Sequence, residues 1–169
     1  DGFAEIARSR QWLLHPRFFW GMGQKTSGNI GASFSQNLLR GGDFEAVKNG
    51  AATAAHPFFQ DDNTRRMTLN GQIARQLSKN AIWTLRGAGS LFQRGGSYAG
   101  LIFKGRQLNT YTETNVVLKR KADDWVLGAN LTSEQFRLKN ASPTLAFGDF
   151  GAKALGVFLQ NDHHFSEKW

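Results

Sequence analysis

Between Trp12 and Met22 every even position is apolar: Trp12, Leu14, Pro16, Phe18, Trp20 and Met22. The odd positions include His15, Arg17 and Gly21. Successive side chains of a strand point to opposite faces, so this segment predicts a strand with one greasy face and one polar face; a helix would scatter both sets. The same period recurs downstream. Ile30, Ala32 and Phe34 stand against Asn29, Ser33 and Ser35; Met67, Leu69 and Ile73 against Arg66, Thr68, Asn70 and Gln72; Trp83, Leu85 and Leu91 against Thr84, Arg86 and Ser90. Leu108, Val116 and Leu118 oppose Asn109, Tyr111, Glu113 and Asn115; Trp125, Leu127, Ala129 and Leu131 oppose Asn130, Thr132 and Glu134; and Leu155, Val157 and Leu159 oppose Gln160 and Asp162. Seven strands follow, with even positions apolar in the first, second and fifth and odd positions apolar in the others.

Each apolar stretch covers about the 9–11 residues that a tilted strand needs to cross a hydrocarbon core. The connections run short, long, short, long: residues 24–27, 38–64, 78–80, 93–105, 120–123, 137–153 and 166–168. Tight turns at one end and longer loops at the other characterise an antiparallel up-and-down transmembrane β-barrel, so the expected fold class is all-β, with about seven strands of a larger barrel. On this reading residues 1–169 are one partial barrel domain.

Tryptophan placement points the same way. Trp20, Trp83, Trp125 and Trp169 each adjoin a short turn, where an amphipathic ring suits the headgroup layer. Trp12, with Phe34, Phe92 and Phe136, is expected to form a second girdle at the long-loop end.

Composition changes the picture little. Mean hydropathy is −0.43 and no run approaches the length of a membrane helix, which excludes only the helical route, because barrel strands give weak hydropathy signals. The absence of cysteine removes disulfides and thiolate chemistry. A net charge of +8, from 21 Lys and Arg against 13 Asp and Glu, invites a nucleic-acid reading. The cations are dispersed over strand faces, turns and loops with the aromatics on the other face, so no nucleic-acid partner is expected.

Several stretches resemble the barrel domain of TonB-dependent outer-membrane receptors, in particular the cobalamin and siderophore branch. They are the run from Arg8 to Met22, the loop opening Arg40-Gly41-Gly42-Asp43 with Phe44 to Val47, the loop closing His56-Pro57-Phe58-Phe59-Gln60, and the run from Ala154 to Trp169. The resemblance covers nearly the whole chain and rests on architectural motifs, none catalytic. It implies a barrel of about 22 strands around a plug, in the outer membrane of a Gram-negative bacterium, importing a scarce nutrient such as an iron chelate or cobalamin with energy from the TonB complex. The implied partners are outer-membrane lipid, the plug domain, the TonB complex and a small nutrient; no cofactor and no enzymatic activity are implied. Plug, TonB-engaging segment and terminal strand are not recognisable in this sequence, which fits a middle section of the wall.

The polar inward positions expected to face plug or water are Arg17, Asn70, Arg86, Asn109, Glu113 and Asn130. Ligand contacts are expected at the loop tops, at Arg40, Asp43, Phe58, Phe59, Asp61, Arg94, Tyr98 and Lys104. Other chemistry is weaker. Asp162, His163 and His164 carry metal-ligating groups, but neighbours on a strand face opposite ways. Asp61-Asp62-Asn63 matches no EF-hand spacing. Gly41-Gly42 and Gly95-Gly96 lack a phosphate-loop context and read as strand-top turns. Glu113 and Glu134 on neighbouring strands raise glycosidase chemistry, which depends on register. Arg75, on the apolar parity, sits close enough to a turn to snorkel. Two alternatives remain: a small stand-alone outer-membrane barrel acting as an adhesin or enzyme, and a soluble β-sandwich binding module.

Overall fold

The protein is described by a computed structural model over residues 3–98, 100–144 and 148–163, with side chains from Ala7 onward. It is an antiparallel up-and-down sheet. The strands are β1 (Phe3–Leu14), β2 (Arg17–Met22), β3 (Thr26–Asp43), β4 (Phe59–Ser78), β5 (Ala81–Tyr98), β6 (Leu101–Lys119), β7 (Asp123–Ala141) and β8 (Phe150–His163), with one helix, α1 (Phe44–Asn49), between β3 and β4. Both β1 and β2 pair with β3, and each later strand pairs with the next.

The first expected strand is therefore interrupted at its proline. Pro16 has no N–H to give the ladder, and its carbonyl accepts from the Ala32 N–H at 3.1 Å, so β1 and β2 continue one line along the sheet margin. A margin strand is where a sheet tolerates proline.

Register carries the apolar parity from strand to strand. Phe34 lies opposite Met67, Met67 opposite Leu91, and Leu91 opposite Leu108. At the other end Val116 lies opposite Leu127 and Leu127 opposite Leu159. Partners in an antiparallel ladder share a face, so the even apolar positions of β1, β2, β3 and β6 and the odd ones of β4, β5, β7 and β8 form one continuous surface, as the sequence pattern predicts.

Short turns at residues 23–25, 79–80 and 120–122 close the lower edge of the sheet. Gly23 opens the first of them with φ 63°, the left-handed region that glycine enters freely. At the upper edge the strands run further than expected. β3 to β7 have 18 to 20 residues, about twice a membrane crossing. The expected long loops shrink to residues 44–58, 99–100 and 142–149. The 166–168 turn and Trp169 lie outside the described residues.

Among the described residues there is no second layer. Ala46 is the buried hydrophobic among them, and α1 packs on β3 and β1. The accessible surface is 12428 Å², against about 8300 Å² for a compact monomer of this mass. The excess is the two open faces of a single sheet. No helix among the described residues is long and apolar enough to cross a membrane.

Candidate functional site

The polar face holds all six positions expected there. Arg86 stands opposite Glu113, and Glu113 opposite Asn130. Arg86 Nη2 lies 3.1 Å from Glu113 Oε1, Asn115 Nδ2 donates to the same oxygen at 2.9 Å, and the Tyr111 hydroxyl donates to Oε2. The carboxylate is thus shared among three donors and is only 12% exposed. Four residues further up the face, Gln107 Nε2 donates to Glu134 Oε1 at 2.5 Å and to Asn109 Oδ1 at 3.3 Å. Arg17 reaches Asn70 at 3.5 Å and Thr68 donates to Ser90 at 3.0 Å. The alternation places Tyr111 and Asn115 on the polar face and leaves Gln107 unread, and only register reveals all three as partners of the two glutamates.

The same register separates the two carboxylates. Glu134 lies four residues along β7 from Asn130, the partner of Glu113, which is about 14 Å. That exceeds the spacing of a glycosidase pair.

At the upper edge the ligand-loop expectation needs correction. Arg40, Asp43, Phe59, Asp61, Arg94, Tyr98 and Lys104 all lie on strands, because the ladder continues past the apolar band; only Phe58 lies in a connection. They also divide between faces. Asp43, Arg94 and Tyr98 have the parity of the polar face, and Arg40, Phe59, Asp61 and Lys104 that of the apolar face. Arg40 Nε bonds Asp61 Oδ1 at 3.1 Å on one side, and Arg94 holds Asp62 Oδ2 from Nε at 2.9 Å on the other. Asp61 and Asp62 therefore serve different arginines and form no shared cation site. Asp62 Oδ1 is buried with no hydrogen-bond partner among the described residues.

Around Asp62 and Arg94 the polar face forms a concavity whose wall includes Gly96, Tyr98 and Phe103. Phe58 packs edge-on against Tyr98 at 5.2 Å, and Phe103, Phe136 and Phe150 stack at 6.4 and 5.1 Å. Gly42, at φ 121°, lets the backbone pass the Phe58 carbonyl, and Asp43 Oδ2 accepts the Phe58 N–H at 3.1 Å, so the connection is pinned over this aromatic end.

Phe92 and Phe136 lie on the polar face and are not part of an apolar-side girdle; Arg66 sits over the Phe92 ring at 5.0 Å. Trp12 and Phe34 keep their place on the apolar side. So do Trp20, Trp83 and Trp125, near the lower edge. Gly28 leaves room for the Trp20 ring, and Trp83 Nε1 donates to Thr114 Oγ1 at 2.8 Å. These three rings form an oblique line. Trp20 shares its row with Leu85 through Gly28 and Ile73, Trp83 lies two residues lower, and Trp125 lies two residues below Leu127, the row-mate of Trp83. Over the five strand spacings from β2 to β7 the line drops four residues, about 14 Å in about 24 Å, a slope of about 30°.

Below this line His163 Nδ1 lies 2.5 Å from Asp123 Oδ1, and that bond holds the Asp123 carboxyl below its ordinary range. Asp162 has the opposite parity, and His164 lies outside the described residues. No cluster of three metal-ligating side chains occurs among the described residues. No family model, curated protein or solved structure matches the chain.

Proposed function

We propose that this sheet is a section of the wall of an outer-membrane β-barrel, and that the barrel is a TonB-dependent receptor importing a scarce nutrient such as an iron chelate or cobalamin. The observation that carries the membrane step is the uncovered apolar face edged by tryptophan. Leu14, Phe18, Met67, Leu69, Leu127 and Leu159 are each more than half exposed. Burial of such surface is worth about 25 cal/mol per Å², so the face needs an apolar neighbour, and hydrocarbon tails supply one along its whole length. The slope of the tryptophan line adds a second support. If the line marks a membrane edge, the strands lean about 30° from the normal, close to the tilt of outer-membrane barrels.

The receptor step rests on the sequence resemblance and on the character of the polar face. Hydrogen-bonded arginines, glutamates and amides suit a wide, wet lumen or the flank of a plug. β1 and β8 each have a partner on one side only among the described residues, and a barrel satisfies such margins with further strands. The aromatic concavity around Asp62, Arg94 and Tyr98 is then the place for first contact with ligand.

Growth of the source bacterium on an iron chelate or on cobalamin as the limiting nutrient tests the receptor step. Deleting this protein and deleting TonB should each abolish uptake of the same compound. Uptake of every such compound unchanged in the deletion strain would refute it.

A further inference from the structure

Three rings break the alternation that most of the polar face keeps. Phe92, Phe136 and Phe150 stand in one row of that face, joined through Gln107. Phe136 and Phe150 are direct partners with ring centroids 5.1 Å apart and planes inclined by 16°, and Phe150 remains 55% exposed. Apolar rings held open among hydrogen-bonding groups lack the stabilisation that cover would bring. Breaks of a local rule gather at functional sites.

The next two rows down supply the complement. Ser90, Asn109, Glu134 and Ala152 follow one another across β5 to β8, and below them Tyr111 and Thr132 are flanked by Ala88 and Ala154. The three alanines have too little side chain to fill the space, and these rows line a recess of about 350 Å³, within the range of small-ligand pockets, about 300–1,000 Å³. Its hydrogen bonding is set from within. Gln107 Nε2 donates to Glu134 Oε1 and to Asn109 Oδ1, so Glu134 Oε2 is left to accept and Asn109 Nδ2 to donate, neither with a partner among the described residues. Asn109 and Glu134 lie directly opposite each other. The recess offers this one carboxylate and no cation on its face: Arg86, in the row beneath, is paired with Glu113, Arg94, in the row above the rings, is paired with Asp62, and Lys153 has the parity of the apolar face.

We propose that this recess binds a neutral sugar ring of the imported compound, with the Phe136 and Phe150 rings against its C–H bonds and Glu134 and Asn109 on a pair of its hydroxyls. The inference rests on the importer reading above and narrows the nutrient to one that carries such a ring. Each half of the site excludes a rival class. An anionic chelate would meet the Glu134 carboxylate with no counter-charge beside it. A wholly apolar compound would leave Asn109 and Glu134 covered and unpaired, which is costly. A sugar satisfies both halves, because its polarised C–H bonds suit the negative face of a phenyl ring and each hydroxyl can donate and accept.

The full chain folded in lauryldimethylamine oxide, a detergent with no sugar headgroup, provides the test. Maltotriose, cellotriose and trigalacturonic acid serve as probes, with binding read by saturation-transfer NMR and titration. The proposal expects a neutral trisaccharide to bind, with saturation reaching its ring C–H protons, and trigalacturonic acid to be refused. Glu134→Gln should weaken binding about tenfold, through loss of the charged acceptor, and Phe150→Leu about fivefold, through loss of the ring face. Phe158→Leu, a ring on the same face eight residues along β8, should bind as the unmodified chain does. Circular dichroism of each variant confirms the sheet. Binding of neither neutral sugar, equal binding of trigalacturonic acid, or undiminished binding by both Glu134→Gln and Phe150→Leu would overturn the proposal. Uptake separates the two levels of failure. A folded chain that takes no sugar in micelles sinks this proposal alone; uptake of every tested nutrient unchanged in the deletion strain sinks the importer reading beneath it.

Discussion

Arg86 and Glu113 face each other across β5 and β6, guanidinium to carboxylate at 3.1 Å, in the middle of the polar face. Glu113 is nearly covered while Arg86 is about half exposed, so the carboxylate depends on its neighbours more than the cation does. Partial exposure keeps their mutual contribution within the surface range of about 0.5–1 kcal/mol. A double-mutant cycle of Arg86→Ala and Glu113→Ala, followed by urea unfolding from lipid vesicles, should return a coupling of that size. Glu113→Ala alone should cost more than Arg86→Ala, because it also strips Tyr111 and Asn115 of their acceptor.

Gly28 is fixed by crowding. A Cβ there would run into the Trp20 ring and lie 2.8 Å from the Gln72 carbonyl oxygen, which belongs to the β4 backbone. Gly28→Ala should destabilise the sheet by about 1–3 kcal/mol, the usual cost of overpacking. It should also change the emission of Trp20 measured in a variant that keeps only that tryptophan.

Asp149 sits outside the apolar band, between β7 and β8. Its carboxyl lies below the ordinary carboxylate range because Arg137 Nη1 donates to it at 2.8 Å and the Leu138 N–H at 2.7 Å. A carboxyl depressed in the folded state adds stability that is complete above its unfolded value, about 3.9, and lost as pH falls through the lower folded value. Hydrogen exchange at the Leu138 amide should therefore accelerate, relative to neighbouring β7 amides, as pH falls below about 4. In Asp149→Asn that acid-dependent change should disappear.

How much of this was legible in the sequence follows from where the chain alternates. The apolar parity of all seven expected strands holds, since a period of two needs no partner to be read. The upper ends of β3 to β7 read as loops in the sequence because the alternation fails there, as in Gln60 to Thr64 or Arg94 to Tyr98. Those segments are strands through pairing with their neighbours, and cross-strand bonds such as Arg40 to Asp61 are invisible in a single segment. Phe92 and Phe136 are even-numbered on strands whose apolar positions are odd, so alternation alone contradicts their place in an apolar-side girdle, whereas the separation of Glu113 from Glu134 needs the register. Pro16 marked a break that strict alternation concealed.

The central claim, that hydrocarbon covers the apolar face, is tested most directly by depth-dependent quenching with brominated lipids. Variants retaining only Trp20, only Trp83 or only Trp125 are reconstituted in vesicles carrying bromine at successive acyl positions. The account predicts strong quenching of all three at one shared shallow depth, despite their different rows in the sheet. Absence of quenching in a chain that is folded and soluble without lipid would contradict it.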